Sequence, residues 1–379
     1  MRSVSNLKTD LQRRIRDKTN GIIESADATA AFNEAIRYLK SMHEFPGTKQ
    51  RANLDVYSGV YEYAAASGYK STIDFRRENE TVTFSRKTSK EFWRDLKEES
   101  QMFADDNYNE TRVLLVSADN LTSAVVLHNC DSVTENGTWA AVTGSGASNV
   151  TLDEVDYTEG GGSINFDATS ATVPSVDVTI TTPLDLSDHE DKSYLFLDLD
   201  LPTVSNITSV TLRWGNSSSA YWSQTVTTNF LGRSFATGFN KLGFAWNGAT
   251  ETGTPSATAV DYFRLIVTYS ASTTDTDFRL DNIFSALPYR LKHNHYSKNF
   301  VKTNAGAYQA EISADDDTTI LEDWQDELLL AKAEERAFLT LRDYQDAAEA
   351  EKRFTTLFGK ITNDEVSERT KPTDRYYFM

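Results

Sequence analysis

The feature that most constrains this chain is a switch of hydrophobic period. Apolar residues recur with helical spacing near both ends, whereas between residues 130 and 287 they alternate with the spacing of a strand. Leu7, Leu11 and Ile15 predict an amphipathic helix over Val4–Lys18, stopped at Asn20-Gly21. Asp27 is a good N-cap for a second, with Phe32, Ala35, Ile36 and Leu39 on one face and Pro46-Gly47 at its end. Thr319 with Glu322 has capping-box spacing and opens the strongest helix, lined by Leu321, Trp324, Leu328, Ala331, Phe338 and Leu341 and stopped by Gly359. At roughly 40 residues, against a usual length of about 11–12, it reads as two helices or one bent helix.

The middle reads as all-β. Strand-like runs fall at Ser163–Asp167, Asp177–Thr181, Tyr194–Leu201, Ser209–Trp214, Trp222–Thr227, Lys241–Trp246, Tyr262–Tyr269 and Asp277–Phe284. Val210, Leu212 and Trp214 share one face, as do Leu242, Phe244 and Trp246, and 12 of the 18 glycines lie in this segment, so a sandwich or jelly roll is expected. Residues 54–127 are mixed, with short β-branched and aromatic runs, Thr81-Val82-Thr83-Phe84 among them, around a helical stretch over Ser89–Gln101.

The expected class is therefore α+β: a discontinuous, mainly helical domain from residues 1–128 and 288–360, interrupted by an all-β sandwich at 129–287 and followed by an extended tail, 361–379. A length of 379 residues accommodates that division, and with 39% hydrophobic residues the chain has material for real cores.

Charge and cysteine content narrow the function. The formal net charge is −18, and residues 130–287 hold 6 Lys and Arg against 19 Asp and Glu, a field that disfavours sequence-reading contact with nucleic acid. Cys130, the single cysteine, cannot form an internal disulfide or a structural zinc site. No apolar run approaches the ~20 residues of a membrane span, and Met1–Asp10 lacks a signal-peptide core, so a soluble intracellular product without membrane insertion is expected. No G-x-S-x-G, H-E-x-x-H or P-loop occurs, and Gly160-Gly161-Gly162 precedes a strand rather than a helix, so no enzymatic activity is expected.

Several residues remain as candidates, each with a plainer alternative. Tyr221 and Trp222 follow the loop Asn216–Ser219 and offer either a sugar-stacking surface or packing, whereas Trp214 and Trp246 are expected in the core. His293 and His295 share a strand face as a metal pair, or else as a polar face or subunit contact, and Asp315-Asp316-Asp317 either attracts a cation or serves as capping or solvated acids just before a helix N-terminus. Arg375, Tyr376, Tyr377 and Phe378 form a docking peptide, the alternative being a solvated end.

Outside the β segment, the chain resembles the head-to-tail adaptor (neck or connector) proteins of tailed bacteriophages with podovirus-like necks. The residues that carry this are Leu7-Lys8-Thr9-Asp10-Leu11, Asn33-Glu34-Ala35-Ile36-Arg37, Tyr289-Arg290-Leu291-Lys292, His295-Tyr296-Ser297-Lys298, Ala314-Asp315-Asp316-Asp317 and Glu327–Phe358. The resemblance implies a structural virion protein made in the host cytoplasm, located in the neck between capsid and tail. It would form a homo-oligomeric ring of twelve copies, bind the portal protein and tail or nozzle proteins, and let DNA pass without sequence recognition.

The β segment separately resembles carbohydrate-binding-module-like jelly rolls, through Cys130-Asp131-Ser132, Gly137-Thr138-Trp139, Gly161-Gly162-Ser163-Ile164-Asn165-Phe166 and Phe278-Arg279-Leu280-Asp281-Asn282-Ile283. This implies the alternative function, a lectin or accessory module of a glycan-active protein with a host glycan as partner. It also implies that Asp131 and Asp281 hold a structural calcium, the alternative being a hydrogen-bond cap of a loop.

Overall fold

In the computed structural model, residues 2–19, 22–77, 83–99, 101–108, 111–119, 121, 123–134, 136–321 and 323–370 are described. Asn20-Gly21, Thr81-Val82, Glu322 and the tail residues Arg375, Tyr376, Tyr377 and Phe378 lie outside them.

In chain order the helices are α1 (Val4–Thr19), α2 (Ser25–Met42), α3 (Ser89–Asp95), α4 (Asp323–Thr340) and α5 (Tyr344–Thr370). The strands before the sandwich are β1 (Lys49–Val56), β2 (Glu62–Ala64), β3 (Tyr69–Arg77), β4 (Ser85–Arg86), β5 (Met102–Tyr108), β6 (Thr111–Val116) and β7 (Ala124–His128). Then come β8 (Ala140–Ala141), β9 (Ala147–Asp153), β10 (Ser163–Ala171), β11 (Ser175–Leu184), β12 (Tyr194–Leu201) and β13 (Ile207–Ser217). They are followed by β14 (Ala220–Val226), β15 (Gly238–Ala245), β16 (Thr250–Thr252), β17 (Val260–Tyr269) and β18 (Thr273–Ala286). The last are β19 (Tyr289–Ser297), β20 (Val301–Lys302), β21 (Tyr308–Gln309) and β22 (Thr318–Thr319).

This corrects the expected class. The chain is mostly β, with 22 strands against five α-helices among the described residues, and it is not a mainly helical adaptor domain interrupted by one β module. The helical ends dominate the periodic signal, but strands of two to nine residues outside the sandwich pair with partners far away in sequence, as in the sheet β1–β19–β3. Which distant strands pair is not reported by any local pattern, so the helical ends outweigh them in the sequence.

The chain forms two compact units, one of residues 1–52, 66–74 and 293–379, the other of 53–65 and 75–292. The boundary expected at residues 128 and 129 falls inside the second.

In the first unit, the predicted faces of α1 and α2 are buried, with Leu7, Leu11, Ile15, Phe32, Ile36 and Leu39 fully covered. They share a core with Leu328, Leu329, Leu330 and Phe338 of α4 and Phe354 of α5. Arg342, at φ +60°, breaks the C-terminal helical stretch between α4 and α5. Gly359 does not stop α5, which continues to Thr370 within the segment expected to be extended. Beyond the one-sided stripe, α4 also buries Glu334, paired with Arg353 and with Arg14 at 3.7 Å. No helix among the described residues is long and apolar enough to cross a membrane.

The second unit contains two facing six-stranded sheets. One runs β15–β12–β18–β10–β9, with β7 also on β18; the other runs β16–β14–β13–β17–β11–β8. Alternation dictates the layer between them: Leu195, Leu197, Leu199, Phe166 and Phe278 come from the first, Val210, Leu212, Trp214, Phe263 and Leu265 from the second, all buried in one cluster. Trp214 meets Trp246 edge to face at 5.5 Å, and Trp222 meets Trp246 at 5.0 Å. Each large side chain taken wholly from water contributes about 1.5–3 kcal/mol, so this layer is the main source of the unit's stability.

The far side of the first sheet is covered too. Phe196 stacks on Phe284 at 5.3 Å, and Tyr57 lies across Phe196 at 5.1 Å. One sheet face therefore remains open, the outer face of β16–β14–β13–β17–β11–β8.

Candidate functional site

The open face is built by strand alternation. On β13, Val210, Leu212 and Trp214 point into the sandwich, so Thr211 and Arg213 point outward. Register then aligns one row across four strands: Ser223 opposite Arg213, Arg213 opposite Arg264, and Arg264 opposite Asp177. A second row sets Tyr221 opposite Gly215 and Gly215 opposite Tyr262. Of these, Arg213, Ser223 and Arg264 bound a groove of about 530 Å³ together with Thr211, Thr225 and Thr268.

Two guanidinium groups thus lie directly opposite on neighbouring antiparallel strands, an arrangement that costs stability unless neutralised. Arg264 is neutralised: its Nε and Nη2 donate to Asp177 Oδ2 at 3.2 and 2.7 Å, and Tyr262 Oη donates to the same oxygen at 3.4 Å. Burial pushes the Tyr262 phenol up to about 12, so it stays a donor. Arg213 has no such partner among the described residues. Its guanidinium lies 4.6 Å from the centre of the Tyr221 ring, and its Nε is buried without a hydrogen bond among the described residues. The stack fixes the plane of the guanidinium and leaves its donors unspent.

The structure separates the two aromatic candidates. Trp222 is 6% exposed and packs on Trp246, whereas Tyr221, its neighbour on β14, points to the opposite side of the sheet and lies against Arg213. The sequence reading passed over Arg213, Arg264 and Asp177. The alternation of β13 that buries Trp214 already turned Arg213 outward, but the row depends on register, which no local pattern reports.

Asp131 and Asp281 are brought to one loop. Asp281 Oδ2 accepts from Thr158 N at 2.7 Å, Thr158 Oγ1 at 2.7 Å and Glu159 N at 3.1 Å; Asp131 Oδ1 accepts from Gly161 N and Gly162 N. Gly160, at φ +74°, passes so close that a Cβ would overlap the Asp131 carboxylate. Asp281 is fully buried, its Oδ1 lacks a hydrogen-bond partner among the described residues, and desolvation raises its pKa. Among the described residues no group of three or more His, Cys, Asp or Glu could hold a metal ion.

His293 and His295 are both buried, their rings 4.7 Å apart, with His293 Nε2 3.1 Å from Thr72 Oγ1. Neither ring nitrogen of His295 has a hydrogen-bond partner among the described residues, and burial lowers its pKa. In the acidic run, Asp315 pairs with Lys8, and Asp317 Oδ2 accepts from Ser313 N at 2.8 Å and Ala314 N at 2.9 Å, closing a turn.

No protein-family model matches the chain and no curated protein matches it. Similar solved structures include the family 11 carbohydrate-binding module from Clostridium thermocellum in complex with a β-1,3-1,4-mixed-linked tetrasaccharide, at 13% identity over 43% of this chain and 94% of that one, TM-score 0.31. A family 30 module of a cellulosomal cellulase of Clostridium thermocellum shares 11% identity over 43% and 96%, TM-score 0.32. A module specific for non-crystalline cellulose shares 17% over 40% and 91%, TM-score 0.28. None of these neighbours is a phage neck protein. Likeness at this level carries no argument about function, which rests on the residues of the open face.

Proposed function

We propose that the protein binds carbohydrate on the outer face of β16–β14–β13–β17–β11–β8. The observation that carries this is Arg213, an unneutralised guanidinium held flat on Tyr221 and directly opposite a second arginine. A fold selected for stability alone would replace it, since like charges directly opposite are destabilising by about 0.2–1 kcal/mol. A polyhydroxylated ligand supplies what the row lacks. Its hydroxyl oxygens accept from Arg213, and the side chains of Ser223 and Thr225 border the same groove.

The test is a glycan array with the full chain, the Arg213→Ala variant and the Tyr221→Ala variant. Selective binding that falls roughly tenfold or more on loss of Arg213 supports the reading. Binding that is absent, or that survives both substitutions undiminished, overturns it.

A further inference from the structure

We propose that a second pocket of the same unit, between α3 and the segment 229–241, is a separate saccharide subsite that takes one pyranose ring on Trp93. The ligand class is that proposed for the sheet face, but the residues are different and the pocket stands without them. It has a volume of about 560 Å³.

Its aromatic wall is fixed from behind. Thr88 and Glu91 close a reciprocal cap at the start of α3, and Phe92 is fully buried against Met102, Ala104, Val113 and Leu115. The next residue, Trp93, is turned outward and is 46% exposed, which is costly for an indole with nothing to cover it. It is nevertheless held, edge to face with Phe92 at 5.5 Å and with Tyr61 at 6.2 Å. Tyr61 is itself anchored, its hydroxyl donating to Asp119 Oδ2 at 3.0 Å.

The opposite wall is equally preformed. Asn229 N donates to Arg233 O at 2.8 Å, and Asn229 Oδ1 accepts from Arg233 N at 3.0 Å; Asn240 Oδ1 accepts from Ala236 N at 3.0 Å. Phe239 is 36% exposed on this side. Lys241 is spent on Asp198 at 2.9 Å, whereas the Arg233 side chain makes no hydrogen bond or ion pair among the described residues, and Glu62 stands on the same rim. An exposed indole with a guanidinium and a carboxylate on the same rim matches a sugar ring, which has an apolar C–H face and a polar edge. A purely apolar ligand would desolvate Arg233 and Glu62 without offering either a hydrogen bond.

Of the five tryptophans whose side chains are described, Trp93 alone is exposed, the others being 0–6% exposed, so acrylamide quenching reads this site. The full chain is titrated with gluco-, manno- and galacto-tetrasaccharides, with Trp93→Phe used to assign the signal. The expected result is protection from quenching by at least one of them. That protection persists in Arg213→Ala and requires roughly tenfold or more ligand in Arg233→Ala, whose melting temperature is unchanged. Binding on the array without protection of Trp93 overturns this proposal and leaves the sheet face standing. Protection that disappears in Arg213→Ala overturns it as well, because one site would then explain both signals. Protection with no array binding dependent on Arg213 keeps this pocket and removes the sheet face. Protection by aromatic peptides but by none of the sugars also overturns it.

Discussion

Arg213 and Arg264 sit directly opposite each other on β13 and β17, and Asp177 neutralises only Arg264. Replacing Arg213 with alanine relieves this repulsion, so stability is expected to stay level or rise by up to about 1 kcal/mol while ligand binding is lost. Asp177→Asn does the reverse, leaving two uncompensated guanidiniums and lowering stability by about 1 kcal/mol. Urea denaturation of both variants checks the pair of signs.

Neighbouring residues on β14 should behave in opposite ways. Trp222→Ala removes a core side chain packed on Trp246 and is expected to cost about 3–5 kcal/mol, reducing binding only through loss of folded protein. Tyr221→Ala should leave the melting temperature within a few degrees and weaken binding. Thermal melts alongside the glycan array separate the two effects.

Asp281 is a buried carboxylate with one satisfied and one unsatisfied oxygen, and its pKa is raised by desolvation. The protonated form is favoured by the fold, so its contribution is complete below about pH 4 and is lost as pH rises through the raised value. Asp281→Asn keeps the acceptor for Thr158 and Glu159 and removes the charge. It is expected to be at least as stable as the parent at neutral pH, with a flatter pH profile. Chelator is expected to leave the parent's melting temperature unchanged, because loop N–H groups already serve both carboxylates; a calcium-dependent rise abolished in Asp281→Asn would establish a bound ion there.

His295 titrates with the opposite slope. Burial lowers its pKa, so the unfolded chain binds the proton more readily; the contribution is complete above about pH 6.5 and is lost as pH falls toward the depressed value. His189 is shifted the same way by burial. Stability is expected to decline between about pH 7 and pH 5, less so in His295→Gln. Chemical denaturation across that range is the measurement.

A fragment of residues 123–288 should fold by itself but carry an exposed aromatic patch. Without Tyr57, the rings of Phe196, Phe284 and Phe230 lose their cover. The expected signs are dye binding and concentration-dependent association, both absent from the full chain.

Much of the sandwich was legible in the sequence because leucine and tryptophan alternation is strong. The strand Tyr194–Leu201 was read to its ends, and Val210, Leu212 and Trp214 do share the buried face. The failures have physical causes. Helix α3 ends at Asp95 instead of running to Gln101, the chain passing into turns over 96–98, a boundary that the apolar spacing of Phe92, Trp93 and Leu96 does not mark. Trp222 looked available because a serine-rich loop precedes it, yet Trp214 is its directly opposed partner, and opposed residues point to the same side of a sheet. Pairings between distant segments, such as β1 with β19, leave no local trace at all.

The strands that lead into and out of the sandwich are partners. Ala124 pairs with Ala286 and His128 with Ile283, and Leu287 N donates to Ser123 O at 3.1 Å just outside them. Tension applied through the flanking chain would therefore meet these hydrogen bonds one at a time, starting from Ser123 and Leu287, rather than loading them in parallel. The module is geared to unzip under load, and its core would yield mechanically at forces well below those a sheared pair of the same length would bear.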